Sequence, residues 1–109
     1  MKNNINSNFR DKEYIPVSLR TSLEVEPFWG RITTLSPEKI ELLSKFEFKK
    51  GRVLALCFEL DKEKLEDVRG EVTALLREPC GYFQYSIKLS DHNQQKAILA
   101  KLLTLTAKT

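Results

Sequence analysis

The sequence predicts a mainly-β domain, a six-stranded antiparallel barrel followed by one C-terminal α-helix. Two observations carry this prediction. Apolar residues alternate with period two in the segments 53–60 and 83–89, as in strands that bury one face. After Ser90 the apolar residues recur at helical spacing instead. The 109 residues are enough for one hydrophobic core and too few for two domains.

Six segments have the composition of strands, and two are the clearest. In RVLALCFEL every second residue from Leu54 to Leu60 is large and apolar, and the same holds from Phe83 to Leu89. FKKGR is predicted as a hairpin turn in which Gly51 takes positive φ, and EPCG separates the last two strands. The polar stretch DKEKLED is predicted as a connection with at most one helical turn. The predicted strands are YIPVSLR, the run 28–35, KIELLS, RVLALCFEL, VRGEVTALLRE and YFQYSIKL.

The apolar faces of the predicted sheet and helix have to be buried within the fold. An antiparallel meander packs as two sheets or closes on itself, and closure is favoured because it removes exposed edges. The helix is predicted over about 91–105, with Ser90 or Asp91 as its cap. We expect its apolar residues to pack across the barrel mouth and not to form a dimer seam. These residues are Ile98, Leu99, Leu102 and Leu103.

Composition argues against several classes of protein. Hydrophobic residues make up 41% and charged residues 30% of the chain, which is typical of a globular domain. The net charge of +3 is small, and the basic residues are spread among the acids, so nucleic acid is not favoured as a partner. No apolar run approaches the roughly 18–20 residues that span a bilayer, and the N-terminus lacks the apolar centre of a signal peptide. The sequence therefore predicts a cytoplasmic protein without membrane insertion.

The residue types that perform catalysis or bind metals are scattered. Cys57 lies in an apolar run and Cys80 in a turn, and we expect both to be free thiols. With one histidine, His92, they do not form the spaced cluster that a zinc site requires, so no metal is expected. No nucleophile can be assigned to His92, and Glu59 and Asp61 lie near a strand end, where solvated acids are common. The sequence predicts a protein that is not an enzyme.

Two polar segments frame the predicted barrel. Residues 1–10 carry four asparagines and are predicted to be a mobile arm, with the barrel and its helix over 11–109. Within the stretch TTLSPEKIEL, the segment LSPEK is predicted to form a tight turn. There Ser36 can accept a backbone N–H, Pro37 suits the next position, and Glu38 favours the positive end of the turn.

The order of these elements resembles the PilZ domain, a bacterial six-stranded barrel with a C-terminal helix that serves as a receptor for cyclic di-GMP. The likeness covers roughly residues 10–105. Ligand-binding members of the family carry RxxxR before the first strand and (D/N)xSxxG at the turn after the second. The matching positions of this chain are Arg10 for the first arginine, Tyr14 for the second, Thr34 for the acid or amide, Ser36 for the serine and Lys39 for the glycine. The resemblance thus implies a nucleotide site in which two of the five residues are kept.

The substitutions weaken the implied site. Losing one charge-assisted contact costs roughly 1.5–3 kcal/mol, whereas Tyr14 can still stack on a guanine for about 1–3 kcal/mol. Thr34 lacks the paired acceptors of a carboxylate. A positive φ at Lys39 would add strain of about 1 kcal/mol. The affinity is therefore expected to fall from micromolar into the millimolar range or beyond, unless Arg20, Arg31 or Lys39 compensates. The turn is predicted to be a structural remnant of the site.

Some members of the family without these motifs act through protein partners in pilus assembly or motility control. The resemblance therefore implies a signalling adaptor with an unidentified bacterial protein partner, no cofactor, and cyclic di-GMP as a regulatory ligand at most. The predicted partner surface contains Trp29 and Tyr82, because large aromatic residues are enriched at binding hot spots.

Two alternatives stay open. One is a working cyclic di-GMP receptor that uses Arg10, Ser36 and compensating basic residues. The other is a barrel that binds single-stranded nucleic acid, for which basic grooves with aromatic platforms are typical. Its platforms would be Tyr82, Phe83, Tyr85 and Trp29.

Overall fold

Six strands form a closed antiparallel barrel that one helix follows. The structure, a computed structural model, describes residues 7–8, 14–21, 26–60 and 62–107. Around the barrel the strand order is β3-β2-β5-β6-β7-β4, and β4 pairs again with β3 to close it. The predicted six-stranded barrel with a C-terminal helix is confirmed. The elements are β1 (Ser7–Asn8), β2 (Ile15–Arg20), β3 (Phe28–Leu35), β4 (Lys39–Ser44), β5 (Val53–Leu60), β6 (Glu63–Arg77), β7 (Phe83–Leu89) and α1 (His92–Ala107).

The inward residues of each strand form one core. In β5 the four residues from Leu54 to Leu60 that were predicted to share a face are all buried, and so are Tyr85, Ile87 and Leu89 of β7. Burying one such leucine or isoleucine side chain contributes about 1.5–3 kcal/mol. The alternation seen in the sequence therefore sets which face of each strand turns inward.

Two threonines occupy β-bulges that bend the strands toward closure. The register of β3 with β4 shifts between Ile32 and Thr34, and the extra residue, Thr33, donates its hydroxyl to the Glu41 carbonyl at 3.3 Å. Thr73 takes the corresponding place between β6 and β7 and donates to the Ser86 carbonyl at 3.2 Å. Bulges increase local twist and bending, which a small closed barrel requires.

The connection predicted over DKEKLED is wrong for most of its length. Strand β6 already begins at Glu63, where it pairs with the end of β5. Between the pairs Leu56–Val68 and Phe58–Leu65, β6 has one residue more than β5, and Asp67 has a φ of 53°. Because most side chains of this segment are exposed, the segment lacks the apolar alternation that would have predicted a strand.

Helix α1 packs on the first half of β6. Asp91 caps it, since its carboxylate accepts from the N–H groups of Asn93 and Gln94 at 2.9 and 3.1 Å. Ile98 and Leu102 belong to the core cluster, which places them as predicted. Leu103, which was expected to pack with them, is 49% exposed. Among the described residues, no helix is long and apolar enough to cross a membrane.

The two ends of the barrel differ. We call the end that carries α1 the helix end; it contains the start of β2, the end of β3 and the start of β4. At the opposite, loop end, the Tyr85 hydroxyl accepts from the Phe48 N–H at 2.7 Å and donates to the Phe46 carbonyl at 2.6 Å. Burial raises the pKa of Tyr85 above its ordinary value, although the bond from Phe48 opposes the shift. Tyr85 thus fastens the segment after β4 to the core.

The predicted N-terminal arm contains one element that the sequence analysis did not predict. Ser7 and Asn8 form β1, which pairs with Leu35 and Thr34 at the end of β3. The other residues of the arm, Arg10 among them, lie outside the described residues, and the mobility of the arm stays a prediction.

Candidate functional site

The first candidate is the Ser36 turn, residues 36–39, which joins β3 to β4 at the helix end. The Ser36 hydroxyl donates to the Lys39 carbonyl at 2.8 Å and accepts from the Lys39 N–H at 3.1 Å. The Ser36 N–H also donates to the Lys39 carbonyl, at 3.0 Å. The Glu38 carbonyl accepts from the Leu89 N–H at 2.9 Å, which ties the turn to β7. The polar groups of this serine therefore close the turn itself.

Lys39 occupies the motif position of a glycine without the strain considered above. Its backbone belongs to β4 and pairs with Lys88 of β7. Of the described residues other than glycine, only Lys62 and Asp67 have positive φ, so Lys39 has an ordinary strand conformation. Its exposed side chain leaves the turn at a position where a glycine would leave open space.

The other predicted ligand residues that the structure describes lie at different distances from this turn. Thr34 precedes it on β3, beside β1. Arg10 lies outside the described residues. Arg20 ends β2 at the loop end, opposite Ala55, so it is at the far end of the barrel from the Ser36 turn. Arg31 lies midway along β3, opposite Pro16 on one side and Leu43 on the other.

The second candidate is a surface on the outer side of the barrel, which we call the aromatic–cationic surface. Its centre is Arg31, whose guanidinium carbon lies 4.8 Å from the centroid of the Tyr14 ring and 5.5 Å from that of Tyr82. A long hydrogen bond of 3.5 Å joins Arg31 Nη2 to the Tyr82 hydroxyl. Such cation–π contacts contribute about 0.5–1 kcal/mol each at exposed sites. The surface consists of Tyr14, Trp29, Arg31, Lys45 and Tyr82.

Strand register brings these residues together. Gly30 of β3 pairs with Ser44 of β4, and Ser44 pairs with Phe83 of β7. This register places Trp29 on β3 beside Lys45, which follows β4, and Tyr82, which precedes β7, near the loop end. The Lys45 ammonium lies 5.5 Å from the Tyr82 ring centroid. These side chains, with Pro16 and Phe46, line a shallow cavity of about 330 Å³.

Trp29 and Tyr82, predicted from sequence as partner residues, are thus brought to one surface. The structure adds Tyr14, Arg31 and Lys45, which sequence reasoning had treated as ligand residues or had not considered. Arg31 and Tyr82 are 51 positions apart in the chain, so no local pattern could have joined them. Only the pairing of β3, β4 and β7 does so.

Trp29 also borders a larger groove on its other side. This groove has a volume of about 730 Å³ and runs over the outer faces of β2 and β5, with Arg20, Cys57 and Glu59 in its lining. Trp29 is 63% exposed and forms the ridge between the groove and the aromatic–cationic surface.

One of the aromatic residues that were expected to stack on nucleic-acid bases is buried. Tyr85 was considered as a stacking platform, but it is fully buried and packs on Phe48 and Phe83 with ring centroids 5.7 and 6.2 Å apart. Phe83 is partly buried and packs against the core. The Tyr85 ring is therefore not available to stack on bases.

Comparison with known proteins gives matches in structure. No protein-family model matches the sequence, and no curated protein is detectably similar to it. The Bacillus subtilis inhibitor of motility MotI/DgrA superposes with a TM-score of 0.73 at 14% identity, covering 100% of this chain and 53% of that one. Escherichia coli YcgR, in complex with c-di-GMP, gives 0.71 at 7% identity, with 94% and 45% covered. MrkH of K. pneumonia gives 0.62 at 14% identity, with 94% and 51% covered.

These three structures are PilZ-domain proteins, and the chain has a PilZ-like fold. It spans about half the length of each of them. At such low identity the likeness establishes the fold alone.

Proposed function

We propose that this chain is a PilZ-like, non-enzymatic signalling module of the bacterial cytoplasm, in cyclic di-GMP or surface-motility regulation. It acts by binding a protein partner and has weak or no affinity for cyclic di-GMP. The fold supports the first statement, and so do two proteins of similar structure, an inhibitor of motility and a protein in complex with c-di-GMP. The residues of the two candidate sites support the second.

The observation that carries the proposal is the hydrogen bonding of Ser36. Its hydroxyl is engaged with the Lys39 N–H and carbonyl, so a nucleotide would have to compete with the turn for it. Cyclic di-GMP carries phosphates and guanines, which arginine forks and carboxylates bind in bidentate fashion. Tyr14 and Thr34 replace those groups, and Tyr14 already packs on Arg31.

The aromatic–cationic surface, unlike the Ser36 turn, presents aromatic and cationic side chains that a protein partner can contact. Trp29, Tyr82 and Arg31 are of the three residue types most enriched at binding hot spots. Trp29 and Arg31 lie on β3, and Tyr82 directly precedes β7. Such a surface suits a partner with side chains of its own better than a small ligand that needs enclosure.

The test is a calorimetric titration of the protein with cyclic di-GMP at moderate salt. We expect no heat at micromolar nucleotide. Restoring the motif with Tyr14→Arg, Thr34→Asp and Lys39→Gly together should bring binding back, by about tenfold or more for each contact regained. A control with Tyr14→Gln, Thr34→Val and Lys39→Ala changes the same positions and should not bind.

Micromolar binding by the unaltered protein, lost on Arg10→Ala, would contradict the proposal. The chain would then be a working receptor in which Arg20, Arg31 or Lys39 compensates for the altered motif.

A further inference from the structure

We propose that the aromatic–cationic surface binds an acidic segment of a partner protein. The segment would present carboxylates to Arg31 and Lys45 and a large apolar side chain to Trp29. This inference rests on the function proposed above and adds the chemistry of the partner.

The charges of the surface are open to an external anion. Among the described residues, neither Arg31 nor Lys45 has a carboxylate within ion-pair distance, whereas Lys64, Arg69 and Lys101 each have one. Stacking between Tyr14 and Tyr82 orients the Arg31 guanidinium but leaves its positive charge in place. Since one of its five N–H donors has a long bond to Tyr82, the others can bind a carboxylate in bidentate fashion.

The apolar part of the surface lies beside these charges. Trp29 is 63% and Phe46 45% exposed, and both line the same shallow cavity as Arg31. Covering a tryptophan removes a large apolar area from water, and the hydrogen bonds of a neighbouring arginine orient the bound segment. An apolar side chain between acidic neighbours therefore fits this cavity better than a uniformly acidic segment does.

The surface is organised before binding. Trp29 and Arg31 flank Gly30 on β3, where a Cβ would lie 2.7 Å from the Leu43 carbonyl oxygen. The missing side chain thus allows β3 and β4 to lie close together beneath the cavity. Rigid placement reduces the entropy lost on binding, which favours affinity.

A protein segment accounts for these features better than nucleic acid does. Strands of nucleic acid are bound along extended basic grooves with free aromatic faces. Here two cations stand close together, Glu41 lies on the same outer side of β4, and the guanidinium covers one face of the Tyr14 and Tyr82 rings. A cavity of about 330 Å³ accommodates a few side chains.

The experiment uses Trp29 as its own reporter, because it is the only tryptophan of the chain. The intact protein is titrated with a short synthetic peptide in which one phenylalanine is flanked by glutamates and aspartates. We expect a saturable blue shift of Trp29 fluorescence that weakens as salt is added. The counterpart peptide, with lysines in place of the acids, should give no shift.

Two arginine variants separate this surface from general charge effects. Arg31→Glu should weaken binding by about tenfold or more, as expected for a central contact. Arg52→Glu makes the same change of charge at an exposed residue before β5 and should alter binding by less than about twofold. Circular dichroism should show both variants folded.

Several results would overturn the inference. They are the absence of a shift up to millimolar peptide, equal binding of the lysine peptide, and equal losses for the two arginine variants. Micromolar cyclic di-GMP binding beside intact peptide binding would instead contradict only the low nucleotide affinity proposed above, so the two failures are distinguishable.

Discussion

Strand β3 carries the two candidate regions at different points along its length, and they differ in how their polar groups are used. At the end of β3, the Ser36 hydroxyl and backbone N–H form hydrogen bonds with Lys39 that close the Ser36 turn. In its first half, β3 carries Trp29 and Arg31, whose side chains are exposed. Their contacts within the described residues leave the charge of Arg31 and much of the apolar area of Trp29 accessible. The first arrangement uses its polar groups within the fold, whereas the second leaves charge and apolar area exposed.

The difference gives a physical criterion for deciding whether a residue of a degenerate binding motif serves stability or binding. A residue that matches a motif can be retained for stability alone when its hydrogen bonds are satisfied locally, as those of Ser36 are. A residue without a motif can form a site when register places it beside complementary groups, as Arg31 is placed beside Tyr82. The criterion predicts that substitutions in the turn change stability, whereas substitutions on the surface change binding.

The largest effect is expected from removing the Tyr85 hydroxyl, which holds the segment that contains Phe46. Tyr85→Phe leaves the buried Phe48 N–H and the Phe46 carbonyl without their partner, so we expect the free energy of unfolding to fall by about 3 kcal/mol. Urea unfolding measures this loss. Because Phe46 lines the cavity, peptide affinity should fall too, and a variant as stable as the parent would show that the hydroxyl does not fasten this segment.

The same hydroxyl predicts a dependence on pH. Burial raises the pKa of Tyr85 in the folded state above its ordinary value of 10.0. The folded protein then holds the proton more tightly than the unfolded chain does, so this contribution to stability is complete below pH 10 and declines as the pH rises through the folded-state pKa. Urea unfolding from pH 8 to 11 should show a smaller decline for Tyr85→Phe, and equal declines would contradict the assignment.

A smaller loss is expected at Gly30. Gly30→Ala places a Cβ 2.7 Å from the main-chain oxygen of Leu43, which must move, and we expect a cost of about 2 kcal/mol together with weaker peptide binding. Gly51→Ala is the matched control. Its φ is 91° and its Cβ would have open space, so it should cost about 1 kcal/mol and leave binding unchanged. Equal effects on binding would show that close packing of β3 on β4 does not shape the surface.

The turn itself should show an effect on stability alone. Ser36→Ala removes the bonds to the Lys39 N–H and carbonyl, and we expect a loss of about 1 kcal/mol in urea unfolding. Peptide binding should be unchanged, because the turn lies at the helix end. A loss of peptide binding in a folded Ser36→Ala protein would place part of the partner surface there.

The sequence predicted the barrel wherever one face of a strand is buried and the other is not, as in β5 and β7. It failed at the first half of β6, because mostly exposed side chains leave no alternation to detect, and at β1, where Ser7 and Asn8 carry no apolar signal. Two residues of the aromatic–cationic surface, Trp29 and Tyr82, stand out in the sequence as large aromatic residues; the structure has Trp29 exposed and Tyr82 half-buried. The position of Arg31 between two tyrosines depends on the register of three strands, which only the closed barrel fixes.

The smallest change in stability should accompany one of the largest changes in binding. Trp29→Ala removes a side chain that is 63% exposed, so we expect the free energy of unfolding to change by less than about 0.5 kcal/mol. Peptide affinity, measured by calorimetry because the fluorescent reporter is gone, should fall by about tenfold or more. Leu103→Ala removes an apolar side chain that is 49% exposed on α1 and should change neither quantity by much. If Trp29→Ala instead destabilised the protein as Ser36→Ala should, the indole would be serving the fold, and the two regions of β3 would not differ in the way argued above.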